Sequence, residues 1–194
     1  MLKKYGFTQI KIGDELYNVS PSFGNIAKVD DVEFSMRCIY SVMPNLDTYR
    51  EAIEVVNACL DKPLPKMYDQ QIKIVNGKTK LVNPPPIADQ LGLICLAKHC
   101  ILHGVVGKTD FIPNQQARDD GEPFNVYDFI NSAQDKRALG RSREEALNMS
   151  MTEYIDAMRT AFPDAFKGMT VDEDREAQEF YKEHLRMMKE KGLS

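Results

Sequence analysis

Four residues between positions 95 and 103 hold the chain's most reactive chemistry: Cys95, His99, Cys100 and His103. On a helix Cys95, His99 and His103 fall four apart and share a face. Thiolate and imidazole together are the donor set that zinc prefers. The spacing argues against a metal, because ligands drawn from one helix cannot easily wrap a tetrahedral ion. A zincin HExxH pattern would need glutamate at position 100, where this chain has cysteine. A cysteine–histidine nucleophile pair would need an acid to orient the imidazole, and none is evident. The expectation is therefore a core helix whose histidines reach a polar edge. No metal, no cofactor and no catalytic residue is expected. No GxxxxGK[ST], GxGxxG or GxSxG pattern occurs. Asp119, Asp120 and Glu122 miss the ordered ligand series of an EF-hand and read as solvated loop charge.

The helix that carries this cluster is expected over 87–106, after three prolines at 84–86. It is apolar nearly all round, which suits a central core helix. Loss of a large side chain here, as in Leu96→Ala, is expected to cost about 2–5 kcal/mol. Other elements must surround it. Thr8, Ile10 and Ile12 alternate with Phe7, Gln9 and Lys11. Gly13-Asp14 then supplies a turn before Leu16, Tyr17 and Val19. A second hairpin is expected around Ile72, Ile74, Asn76-Gly77 and Leu81. Lys11, Lys73, Lys78 and Lys80 on these strands read as edge lysines that deter unwanted pairing.

Helical spacing marks 31–43, with apolar groups at 32, 36, 39, 40 and 43, and 47–60, with Ile53, Val56, Ala58 and Leu60 inward. Asp47 or Asn45 is the candidate cap of the second. Shorter helices are expected over 125–139 and 142–149. Another follows Ser150, with Glu153 three residues on as in a capping box. A last helix is expected after Thr170. The fold class is mainly α with small β-hairpins, a short N-terminal hairpin packed on a multi-helix body. Two units are expected: a hairpin and helical core over 1–107 and a helical region over 125–194. They would be joined by a polar linker or long loop over 108–124.

Composition narrows the function classes. The chain has 194 residues and a net charge of -4. Residues 117–194 carry twelve basic and seventeen acidic groups. No basic surplus exists to neutralise phosphates, so nucleic acid is not an expected partner. No run reaches the length of a membrane span and no apolar signal region follows the first lysines. Four cysteines without a CxxC pair fit a reducing cytosol. Ten methionines, six of them crowded from Met149 to Met188, read first as ordinary core packing and, as an adaptable binding surface, rank a binding module above an enzyme.

The opening then matters. Gly13-Asp14-Glu15-Leu16-Tyr17 followed by Ser20-Pro21-Ser22-Phe23 and a helical segment resembles the start of tail assembly chaperones of long-tailed bacteriophages. Met151-Thr152-Glu153-Tyr154-Ile155 resembles the start of a late helix in that family. The resemblance covers residues 7–60 best, and the segment 67–86 departs from it. It implies a non-enzymatic factor in the host cytoplasm that binds the tape measure protein and supports tail-tube polymerisation. The tail tube protein is a second candidate partner, and self-association is compatible with the helical body. The alternatives are a structural virion component, such as a neck, connector or tail-completion protein, or a small regulatory binding protein. For partner binding, the stripe Tyr154, Ile155, Met158, Phe180, Tyr181, Leu185 and Met188 is the expected surface, able to receive an amphipathic helix.

Overall fold

The N-terminal alternation does form a hairpin. In the computed structural model Thr8–Ile12 (β1) pairs antiparallel with Glu15–Val19 (β2), Ile10 opposite Tyr17. Gly13 takes a positive φ of 61° in the tight turn, which glycine adopts without steric cost. The structure describes residues 3–68, 72–76, 78–81, 85–108, 111–112, 124–163 and 169–170. Tyr17 and Val19 are buried, so one face of the hairpin leans on the helical body. Its second strand is tied down by the Ser20 amide on the Cys59 carbonyl and by Asn18 on Asp61.

Ser20-Pro21-Ser22 ends the strand, and Phe23–Ile26 (α1) is a single turn. Ser22 stands at its N-cap without a side-chain cap bond. Val32–Ile39 (α2) follows, with the Asp31 carboxylate accepting the Phe34 amide at 2.8 Å. The expected run to residue 43 is cut short at Ile39. Pro44 biases Met43 away from helical geometry, and the chain leaves the helix already at Tyr40, its C-cap. Tyr40 and Met43 therefore leave the expected apolar stripe. Met43 is 81% exposed, and the Tyr40 ring lies under Lys98 on the surface.

Leu46–Cys59 (α3) opens with a full capping box between Asn45 and Thr48, so Asn45 is the cap and Asp47 is not. Its buried side is Thr48, Tyr49, Ala52, Val55, Val56 and Cys59. Ile53 and Ala58 are only half-buried, and Leu60 packs from beyond the helix end, bridging to Val19. Ile72–Val75 (β3) and Lys78–Leu81 (β4) make the second hairpin, with Asn76 at φ 52° in its turn.

Ile87–Ile101 (α4) is the central helix and packs mainly on α3. The expected span to 106 is right in length but not in kind. Leu102–Val106 widens into a π-helical turn, closed by the Gly107 amide on the Leu102 carbonyl at 2.8 Å. In that turn a Cβ on Gly104 would stand 2.7 Å from Ile26, so glycine lets α1 close in. Leu93, Ile94, Ala97, Cys100 and Ile101 are buried. Leu96 is half-buried and keeps one side on a cleft. Leu96→Ala is therefore expected to cost about 1–2 kcal/mol, below the 2–5 of an enclosed leucine. A urea titration measures it.

Phe111–Ile112 (β5) pairs with Met169–Thr170 (β6), a contact the polar character of 108–124 did not announce. Val126–Gln134 (α5), Arg143–Asn148 (α6) and Met151–Ala161 (α7) complete the described helices. Ser142 and Glu145 form a capping box on α6. Ser150 accepts the Glu153 amide at 3.2 Å, but Glu153 does not return the bond, so only half of the expected box is present. Residues from both sides of 108–124 join one buried cluster, from Tyr17 and Phe23 to Ile130 and Tyr154. The protein is mainly helical, with the short N-terminal hairpin packed on a multi-helix body. The helix expected after Thr170 lies outside the described residues, apart from Thr170 itself. No helix among the described residues is long and apolar enough to cross a membrane.

Candidate functional site

The cysteine–histidine cluster divides in three directions. Cys100 turns toward α3 and lies against Cys59, where the neighbouring thiol and burial hold its pKa well above the ordinary value. Cys95 is exposed on the opposite side. The His99 Nε2 bonds the Gly6 carbonyl at 2.8 Å, which requires the proton on that nitrogen. His103, in the π turn, is buried with Nδ1 2.9 Å from the Thr152 hydroxyl of α7. That hydroxyl also accepts the Lys108 amide at 2.9 Å. The two imidazoles tilt against each other, centroids 4.7 Å apart. Burial, then the neighbouring His99 and Lys108, push the His103 pKa down to about 4.

This arrangement knits three parts of the chain together. The helical turn Lys3–Tyr5 is pinned to α7 by Lys4 and Tyr5, which donate to Asp156 at 2.9 and 2.8 Å. Arg159 reaches the same carboxylate at 3.1 Å. These donors hold the Asp156 pKa below its ordinary value. Gly6 follows and presses on the His103 ring so closely that no Cβ would fit. Neither His103 nor Thr152 lines the clefts at β1–α4, at α6–α7 or at α1–α5, and among the described residues no three His, Cys, Asp or Glu side chains gather around one point.

The largest of those clefts, about 780 Å³, lies between β1 and α4. Ile10 and Ile12 form one wall, Leu93 and Leu96 the other, and Tyr68 and Asp89 close one end. Its size and its apolar lining with few polar groups suit ligand or peptide binding. Behind Tyr68 the Tyr49 hydroxyl is buried and has no hydrogen-bond partner among the described residues. Burial, with Tyr68 and Asp89 nearby, pushes its pKa up to about 12. Sequence patterning places Ile10 and Ile12 on a strand and α4 in the core, and singles out neither Tyr68 nor Asp89. The one signal available was a central helix apolar on sides that a small body cannot all enclose.

The expected partner-binding stripe is only partly described. Tyr154 is 9% exposed, stacked edge-on to Phe23 and Phe129, with its hydroxyl 2.8 Å from Ser132. Ile155 and Met158 are half-buried against the core, and Ile155 crowds Gly107. Truncation of Tyr154 therefore acts on packing inside the body. Phe180, Tyr181, Leu185 and Met188 lie outside the described residues.

Fold and site together define a small, mainly helical protein with an N-terminal hairpin and an apolar surface cleft. A family model described as a family of unknown function (DUF6246) matches residues 15–177, and the chain belongs to that family. No curated protein and no solved structure matches it.

Proposed function

We propose that this chain is a non-enzymatic tail assembly chaperone of a long-tailed bacteriophage, working in the host cytoplasm. It would hold the tape measure protein while the tail tube polymerises, with the tail tube protein as a second contact. Support comes from one junction in the fold. The two segments that resemble that family, 13–23 and 151–155, are more than a hundred residues apart in sequence and come together in space. Ser22 bridges Ser150, the Phe23 amide donates to the Met149 carbonyl at 2.8 Å, and the Phe23 and Tyr154 rings lie 5.9 Å apart. The two resemblances thus fall on one structural unit. His99 and His103 are engaged in holding elements together, which leaves the cleft as the feature best suited to a partner.

The test is co-expression of the tagged chain with the tape measure protein of the same phage. The expected result is a co-purifying complex from lysate and absence of the chain from purified virions. Stoichiometric presence in virions would favour a neck, connector or tail-completion component instead. Failure to hold the tape measure protein in either setting would overturn the proposal.

A further inference from the structure

A helix apolar on nearly every side is normally enclosed by protein, yet α4 has an open face. Ile87 and Leu91 are 68% and 50% exposed, and Ala88, Gly92 and Cys95 beside them are exposed as well. The β1–α4 cleft runs along this face from Asp89 to His99. Ten residues of helix make that about 15 Å. At the Asp89 end, polar groups lack partners. Among the described residues the half-buried Asp89 carboxylate makes no ion pair and no side-chain hydrogen bond. The Tyr49 hydroxyl near it, on a residue more than nine-tenths buried, also has no hydrogen-bond partner among the described residues. Lys11, on the cleft rim, faces Asp14 at 3.6 Å.

We propose that this cleft docks a segment of a partner protein carrying an apolar stripe and a basic residue. The stripe would lie along Ile10, Ile12, Leu93 and Leu96, and the lysine or arginine would reach Asp89 beside the Tyr68 ring. The proposal rests on the partner-binding reading above and specifies its site. A half-buried carboxylate without a counter-ion is complementary to a cation, and a tyrosine ring face adds to that attraction. The apolar surface continues past the cleft onto Ile87 and Leu91, farther than a small molecule would cover. An anionic membrane surface is disfavoured by the carboxylate at the cleft's end.

Two synthetic amphipathic peptides provide the probe. They share a leucine stripe at i, i+3, i+4 and i+7 and differ only in bearing arginine or glutamate at both ends. Each is titrated into the full chain by fluorescence anisotropy while the reactivity of Cys95 toward a thiol dye is followed. The arginine peptide is expected to bind at least about tenfold more tightly and to slow Cys95 labelling. Asp89→Asn is expected to erase the preference and Asp89→Lys to reverse it, with unchanged circular dichroism. Equal affinities, no binding of either peptide, or unchanged Cys95 labelling would overturn the proposal. The two levels separate cleanly. A tape measure protein that is captured while Cys95 stays reactive removes this site and leaves the chaperone function. A peptide that docks as expected while the tape measure protein is ignored does the opposite.

Discussion

Phe23→Ala is expected to destabilise the protein by about 3–5 kcal/mol and to lower Tm by roughly 10 °C. Phe23 is fully buried and stands where the N-terminal and C-terminal parts of the fold meet. Its ring stacks on Phe129 at 6.0 Å and meets the edge of Tyr154 at 5.9 Å, while Phe124 extends the stack from Phe129 at 5.6 Å. Such aromatic pairs add about 0.5–1.5 kcal/mol beyond the area they bury. Its backbone amide is held by Met149, so the surrounding chain has little freedom to collapse into the space left by truncation. The control is Val42→Ala, at a side chain 95% exposed, which is expected to change stability by less than about 0.5 kcal/mol. Thermal melts followed by circular dichroism decide the point. A loss below about 1 kcal/mol for Phe23→Ala would mean that the junction does not anchor the fold.

The elements around this junction differ in how plainly the sequence announces them. The hairpin is legible because alternation, a Gly-Asp turn and a closing proline all agree. The caps at Asn45 and Ser150 are legible because their chemistry is local: each accepts an amide three residues onward. Phe23 is not. It sits in a one-turn helix beside Gly24-Asn25, too short for periodicity to register, and its partners come from α5 and α7. The stop of α2 at Ile39 is likewise not legible, because apolar residues at 40 and 43 continue the helical period.

The site was less legible than the fold. The spacing of Cys95, His99 and His103 placed the histidines near a polar edge. Their partners, Gly6 and Thr152, stand 93 and 49 residues away in sequence, so no local pattern identifies them. The cleft has the same character. Ile10 alternates on a strand and Leu93 belongs to a helix apolar nearly all round, and only the tertiary arrangement leaves a gap between their elements. Asp89 is one acidic residue in an otherwise apolar helical run, and nothing in its spacing singles it out. That it makes no ion pair among the described residues becomes visible only when everything packed nearby is known.

The buried histidine sets the largest expected pH effect. The folded protein holds His103 at a pKa of about 4, against 6.5 for an unperturbed imidazole. Between these values the unfolded chain binds a proton that the folded chain refuses. Stability therefore rises with pH across this window, is complete above about pH 6.5, and falls as pH drops toward 4. A shift of this size corresponds to about 3 kcal/mol. The geometry explains why the charged form is excluded. The Thr152 hydroxyl already accepts the Lys108 amide, which leaves its own proton free to meet a neutral Nδ1. His99 and Lys108 add unfavourable charge nearby, and Gly6 closes the ring off from water. Other groups titrate in acid as well. Burial raises the Glu153 carboxyl, which works in the opposite sense as it protonates, whereas Asp156 and Glu145 are held below their ordinary values and lose their contribution only in stronger acid. The effect of His103 is isolated by comparing the parent chain with His103→Gln in urea titrations from pH 7 to pH 4. The stability difference between the two is expected to move by about 3 kcal/mol in favour of the variant as the pH falls. Parallel pH profiles would show that His103 titrates freely in the folded state.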